Sequence, residues 1–264
     1  MKNGIVIPCF NEANRLNFDA FQKFIDTHKN YILCFVNDGS QDETLNQLLA
    51  FKQQSTERIL IYNLKENQGK AEAVRTGINH LLENTNVNTV GFLDADLATG
   101  FNDYARLISI MNHMDKVMTF GSRKTKDQKD IKRSFFRELA SILVGLLIKV
   151  IVQIPIRDTQ CGAKVFKRKT ALNIFSNSFK SRWLFDVEIF IRVRKLFGKQ
   201  VMNKIEEVGL LSWEEIEGSK ITLKDSLKFP LQLLEIGFDY NIKPQIIILN
   251  QKISKRALDI NQAA

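Results

Sequence analysis

The chain alternates short apolar runs with longer segments in which apolar residues recur every three or four positions. The first kind reads as buried strands, the second as amphipathic helices. Strands are expected over 5–7, 32–36, 59–62, 89–93, 117–120, 163–166 and 205–213. Helices are expected over 18–27, 43–53, 70–82, 102–111, 184–197, 223–240 and 246–260, the last two regions with breaks at Pro230 and Pro244. Alternating strands and helices predict an α/β fold: a mostly parallel, Rossmann-like sheet flanked by helices on both faces. No GxGxxG motif follows the first strand, which weighs against a dinucleotide-dependent dehydrogenase.

Past residue 120 the pattern changes. Arg123, Lys124, Lys126, Lys129, Lys132, Arg133 and Arg137 form a basic stretch that runs into a strongly apolar one, 135–156, interrupted by Lys149, Gln153 and Pro155. The longest charge-free run there, 139–148, is well short of the ~20 residues that span a bilayer. Its apolar residues lie all round the helix, as in a buried helix or one resting in a membrane interface. The net charge of +9 calls for an anionic partner. The cations sit beside an apolar helix rather than on an aromatic-studded sheet face, so a membrane surface is favoured over nucleic acid. Cys9, Cys34 and Cys161 are scattered, odd in number and form no CxxC pair, which fits a reducing compartment. The N-terminus runs directly into the first strand, too closely for a signal peptide. The expected location is the cytoplasmic face of a membrane, without a transmembrane helix.

The candidate chemistry collects after strands. Val90-Gly91-Phe92-Leu93 ends in Asp94-Ala95-Asp96. Strand alternation would aim both carboxylates one way, where they can hold Mg²⁺ or Mn²⁺ through oxygen; an acidic loop with a helix cap is the plainer alternative. Ser40 and Glu43 have the spacing of a capping box, and Asp38 before them can accept the N3–H of a uracil. In Asn67-Gln68-Gly69-Lys70, Gly69 permits close backbone approach and the helix start favours an anion, although Lys70 also reads as a solvated lysine. Asp158 and Gln160 read as polar ligands or turn-formers, and Cys161 as a small buried residue. Asp186 falls in register with Phe190, Val193 and Phe197 on an apolar stripe, which is costly for a carboxylate unless it is paired or in a site. Glu188 aligns with Arg192 and Lys195 and reads as a surface ion pair.

Taken in order, Ile7-Pro8-Cys9-Phe10-Asn11-Glu12, Asn37-Asp38-Gly39-Ser40, Asn67-Gln68-Gly69-Lys70 and Asp94-Ala95-Asp96 resemble glycosyltransferase family 2. Arg157 to Gly162, Trp183 to Glu188 and Trp213 to Lys220 resemble in particular its polyprenyl-phosphate branch, the dolichyl-phosphate β-glucosyltransferases. The resemblance implies a GT-A domain over 1–220, containing a basic and apolar membrane-interface segment at 123–156, with a helical C-terminal extension over 221–264. It implies an inverting transfer of a hexose from a nucleotide sugar, UDP-glucose, to a polyprenyl phosphate, with a divalent cation. By that resemblance Pro8, Asn11, Glu12 and Asp38 cradle the nucleoside. Gly69, Lys70, Asp158 and Gln160 complete the donor site. Asp94 lies near ribose and metal, and Asp96 binds the metal. Arg123 and Arg133 hold phosphates, and Asp186 orients acceptor or sugar.

The sequence departs from the family where Asn37 replaces a second Asp. Ala98 stands where the mannosyl relatives have a Gln, which fits the glucosyl branch. No N-terminal anchor of the kind found in eukaryotic glucosyl enzymes is expected. Two other readings use the same residues: a family 2 enzyme with a saccharide or cell-envelope acceptor, and an inactive nucleotide-sugar-binding scaffold on a membrane.

Overall fold

The structure, a computed structural model, describes residues 1–54, 57–123, 135–213 and 223–242. Its strands are β1 (Asn3–Cys9), β2 (Tyr31–Asp38), β3 (Ile59–Leu64), β4 (Thr89–Phe92), β5 (Met118–Ser122), β6 (Lys164–Lys167) and β7 (Ile205–Gly209). The α-helices are α1 (Phe18–Thr27), α2 (Thr44–Gln54), α3 (Lys70–Asn84), α4 (Phe101–His113), α5 (Phe135–Val152), α6 (Arg168–Ile174), α7 (Phe185–Phe197), α8 (Val201–Lys204) and α9 (Leu223–Gly237). By contact the chain divides into two compact units: Met1–Asp130 with Ile156–Lys220, and Ile131–Pro155 with Ile221–Ala264.

The first unit holds one seven-stranded sheet in the order β3-β2-β1-β4-β6-β5-β7. Every pairing is parallel except the two made by β6, which runs antiparallel to β4 and β5. The chain steps outward from β1 to β2 and β3, then returns to place β4 on the other side of β1. That reversal opens a crevice beyond the carboxyl ends of β1 and β4, where open α/β sheets bind ligands.

The two sheet faces have different cores. Ile5, Ile7 and Cys9 of β1 join Leu33 and Phe35 of β2 in a cluster with Phe21, Phe24 and Ile25 of α1 and Tyr104, Leu107 and Met111 of α4. On the opposite face Gly77 of α3 abuts Val6 and Val36. Farther along that face Phe120 meets Phe190 of α7 edge-on at 4.8 Å, and Phe92 lies 5.7 Å from Phe185. Each such fully buried ring contributes about 1.5–3 kcal/mol, so both layers are held firmly under the crevice.

Several local expectations change. β4 ends at Phe92, so strand alternation does not orient Asp94 and Asp96; a turn does. α2 starts at Thr44, whose N–H donates to Asp42 Oδ1, and Ser40 Oγ instead accepts from Asn11 N, so there is no Ser40–Glu43 capping box. β7 stops at Gly209 rather than running to 213. α6, α8 and the 3-10 turn Gly198–Gln200 were not expected. α9 continues through Pro230 to Gly237 and is followed by a π-turn, Phe238–Ile242. The helix expected over 246–260 lies outside the described residues.

In the second unit α5 packs against α9. Leu146, Val150, Leu231, Leu234 and Phe238 are exposed there, Val150 and Leu231 by about two thirds of their surface (64% and 65%). Among the described residues no helix is long and apolar enough to cross a membrane.

Candidate active site

Asp94 and Asp96 sit in a turn at the carboxyl edge of β4. Leu97 N–H donates to Asp94 O at 3.1 Å, and Ala98 N–H to Asp96 Oδ1 at 3.0 Å. Leu97 closes the turn at φ 56°, a conformation that bulky residues rarely adopt and that marks local strain. Each carboxylate meets a cation from another loop. Lys70 Nζ, at the start of α3, lies 2.5 Å from Asp94 Oδ1. Arg15, in the turn after β1, lies 3.0 Å from Asp96 Oδ2 and 3.3 Å from Glu12 Oε2. Burial alone would lower the Lys70 ammonium, but Asp94, Asp186 and Asp96 outweigh it and hold the group above its ordinary range.

The other side of Asp94 is set by Gly162. A Cβ there would stand 2.0 Å from Asp94 Oδ2, so only glycine leaves room for the carboxylate. Gly162 belongs to the loop before β6, and this is where the antiparallel strand matters: its amino end, not its carboxyl end, faces the crevice. In that loop Asp158 accepts two bonds from the Arg123 guanidinium, at 2.8 and 2.9 Å, and further bonds from Arg123 N and Gln160 N. Burial raises the Asp158 carboxyl, yet the Arg123 contacts prevail and it lies below the ordinary carboxylate range. Arg123 also stands over the Trp213 ring, 5.7 Å from its centre. Cys161 is fully buried and burial raises its thiol, so it is packing and not a nucleophile.

Asp186, in the first turn of α7, is buried and accepts from Lys164 Nζ at 2.6 Å. Lys164 is itself wholly buried, donates also to Cys161 O at 2.7 Å, and faces the rings of Phe92 and Phe190. Burial raises the Asp186 carboxyl, against the pull of Lys164 and Lys70. Glu188 is not on the surface: it is fully buried and accepts from Lys180 N and Ser181 N, with Arg192 3.9 Å away. Its work is to fold the 180–184 loop against α7.

Asp38, at the end of β2, is spoken for by the loop beside it. It accepts from Gln68 N at 2.7 Å, Gly69 N at 2.9 Å and Asn67 Nδ2 at 3.1 Å. Gly69 caps α3 at φ 95°, where a side chain would be strained. Asn11, at φ 50°, links the β1 and β2 loops: its N–H reaches Ser40 Oγ and its Oδ1 accepts from Gln41 N. Glu12 N donates to Thr44 Oγ1 at 2.8 Å. Pro8 is the penultimate residue of β1, opposite Val36.

Asn11, Glu12, Asp38, Gly69, Lys70, Asp94, Asp96, Arg123, Asp158, Gln160 and Asp186 therefore all come from strand ends, loops or helix starts at one edge of the sheet. Arg133 lies outside the described residues, as does 214–220. Sequence reasoning missed Arg15 and Lys164. Lys164 had a signal: a lysine between Ala163 and Val165 in a short strand, with an acid on the core face of α7 that needed a partner.

The family model for glycosyl transferase family 2 matches residues 4–175. The chain belongs to glycosyltransferase family 2. Among its relatives, the dolichyl-phosphate β-glucosyltransferase of Drosophila melanogaster is 34% identical over 83% of this chain and 68% of that protein. That of Dictyostelium discoideum is 33% identical over 89% and 74%. The fold is shared with glucosyl-3-phosphoglycerate synthase of Mycobacterium tuberculosis, in a complex with Mn²⁺, UDP and glucosyl-3-phosphoglycerate, at a TM-score of 0.65 and 14% identity over 89% of this chain and 78% of that one. This glycosyltransferase thus has a GT-A sheet with its acidic turn at the topological switch.

The donor set suits a hard divalent cation. Asp94 and Asp96 offer only oxygen, and the absence of a side chain at Gly162 lets the Asp94 carboxylate take its place there. Among the described residues no group of three or more His, Cys, Asp or Glu side chains could hold a metal alone. Two carboxylates completed by phosphate and water is the usual manner of Mg²⁺ binding.

Proposed function

We propose that this glycosyltransferase moves glucose, with inversion, from UDP-glucose to a polyprenyl (dolichyl-type) phosphate at the cytoplasmic face of a membrane. The observation that carries the reading is the Asp94–Asp96 turn at the switch point, balanced by Lys70 and Arg15. It is a cluster of paired carboxylates and cations that, with a divalent metal, suits a nucleoside diphosphate. The glucosyltransferase relatives support the choice of sugar and lipid. The free, buried thiols of Cys9, Cys34 and Cys161 suit a reducing compartment.

Asn11, Glu12 and Asp38 border the nucleoside, with Pro8 beneath and the Gly69–Lys70 helix start beside the phosphates. Asp94 and Asp96 would hold Mg²⁺ or Mn²⁺, whose charge offsets that developing on the UDP leaving group. Arg123, held by Asp158 and standing over Trp213, would meet a phosphate, and Gln160 would belong to the donor site. A phosphate monoester has a second pKa of about 6, so the acceptor arrives already anionic and its oxygen attacks without a strong base. The difficulty is repulsion between two anions, which Arg123 and Lys70 reduce. Asp186 keeps one oxygen on Lys164 and presents the other to a hydroxyl of the sugar or acceptor. The exposed apolar side chains of α5 and α9 form the membrane-resting surface of a chain whose net charge is positive.

A hydroxyl acceptor is the second reading; it would need a general base, and Asp186, in the first turn of α7 with Lys164 on one oxygen, is the carboxylate placed for it. Asp186→Asn separates the two. A general base contributes about 10²–10⁴-fold. We expect Asp186→Asn to lose less than that with polyprenyl phosphate, in protein shown folded by near-ultraviolet circular dichroism. A loss of 10³-fold or more would favour the hydroxyl acceptor.

A further inference from the structure

The site contains two kinds of ion pair. Lys164–Asp186 is closed: the lysine side chain has no exposed surface and the aspartate retains 7%. Lys70–Asp94 and Arg15–Asp96 are open: their side chains keep between 21% and 33% of their surface. Closed pairs are fixed, whereas open pairs can change partners without first burying an uncompensated charge.

The open pairs occupy the same carboxylate oxygens that a divalent cation would need. Their charges also compensate. Asp94, Asp96 and Glu12 with Lys70 and Arg15 leave one net negative charge. A divalent cation alone makes the cluster net positive, and a diphosphate diester alone makes it more strongly negative. Both together restore the starting charge. Two carboxylates are too few to hold such a cation unaided, and among the described residues no group of three acidic, imidazole or thiol side chains could hold one.

We propose that Lys70 and Arg15 are exchange cations. They hold Asp94 and Asp96 in the empty enzyme and release them to a divalent cation only when a diphosphate arrives to take Lys70 and Arg15 in return. This rests on the metal and nucleotide roles proposed above, and it assigns a donor-site function to Arg15. No bond is made or broken in the exchange; four charges change neighbours. Its consequence is coupling: metal and nucleotide each bind weakly alone and tightly together. By linkage, each raises the other's affinity by the same factor.

The test is Mn²⁺ binding to the full chain, read from loss of the free-ion electron paramagnetic resonance signal, with and without UDP. Titrations without protein correct for Mn²⁺–UDP complexes. For the native protein we expect UDP to tighten Mn²⁺ binding by a factor in the upper part of the usual 5–150-fold range of coupling. Lys70→Met should bind Mn²⁺ without UDP about tenfold more tightly than native protein, because a competing cation is gone, and UDP should then add correspondingly less. Arg15→Met should shift both quantities in the same directions, and Lys70→Arg should restore native coupling. Thermal unfolding of each variant establishes that it is folded. Unchanged or weaker Mn²⁺ binding by folded Lys70→Met and Arg15→Met, with UDP coupling intact in native protein, overturns the exchange while leaving the metal site standing. No Mn²⁺ binding by native protein even with UDP overturns the metal site itself, and the exchange with it.

Discussion

Gly162 puts the geometry of the site on a single hydrogen. An alanine methyl there would lie 2.5 Å from Asp94 Cγ, so the carboxylate must move by an ångström or more. A displacement of that size at a reacting centre costs about 10²-fold. Gly162→Ala should therefore lower kcat/KM for glucosyl transfer by about that factor while the far-ultraviolet spectrum stays native; full activity in steady-state kinetics would mean that Asp94 is not held where the structure has it. Asp94, Asp96, Asp38 and Asp186 were legible as candidates because each is a carboxylate at a strand end or on an apolar helix face, where a charge needs a reason. Their partners were not. Lys164 and Asp186 are 22 residues apart and Arg15 and Asp96 are 81 apart, and nothing in a local pattern says which cation will cross the fold to which acid.

At the scale of elements, the six strands through β6 and most helices were legible from periodicity, because burial on two faces writes itself as apolar runs. Direction was not. A short strand such as Lys164–Lys167 has the same composition whichever way it runs, yet its reversal brings the 157–163 loop to the crevice. The Arg123–Asp158 clamp then ties that loop to the end of β5, and it has a pH signature. The folded Asp158 carboxyl lies below its unfolded value, which is about 3.9. Its stabilisation is therefore complete above that value and is lost as pH falls through the folded one. In Arg123→Met the same buried carboxylate has no guanidinium to face, and it is least tolerable when ionised. The difference in thermal stability between native and Arg123→Met protein should be largest near neutrality and narrow below about pH 4. A gap independent of pH in scanning calorimetry would show that the clamp contributes packing alone. The strained Leu97 was equally hidden, since leucine carries no sign of a left-handed turn.

The whole molecule combines a sheet unit holding the candidate site with a second unit whose helices expose leucine, valine and phenylalanine. The apolar segment at 135–156 was legible in the sequence; its pairing with α9 was not, because the two are separated by most of the second half of the chain. Exposed apolar surface on a chain of net charge +9 predicts binding to anionic lipid. Flotation with vesicles containing phosphatidylserine should recover the protein with the lipid. The combined substitution Leu146→Asp and Val150→Asp should reduce recovery several-fold, and raising ionic strength to about 1 M, where the Debye length is ~3 Å, should weaken it further. Undiminished recovery of the double variant would place the lipid contact elsewhere.

The central claim is tested most directly by following glucose itself. Purified protein, radiolabelled UDP-glucose, a polyprenyl phosphate and Mn²⁺ are incubated with and without chelator, and label is counted in the organic-extractable lipid. The account predicts metal-dependent label in the organic phase, absent with Asp96→Ala. UDP release without labelled lipid would contradict the acceptor, and full transfer by Asp96→Ala would contradict the site.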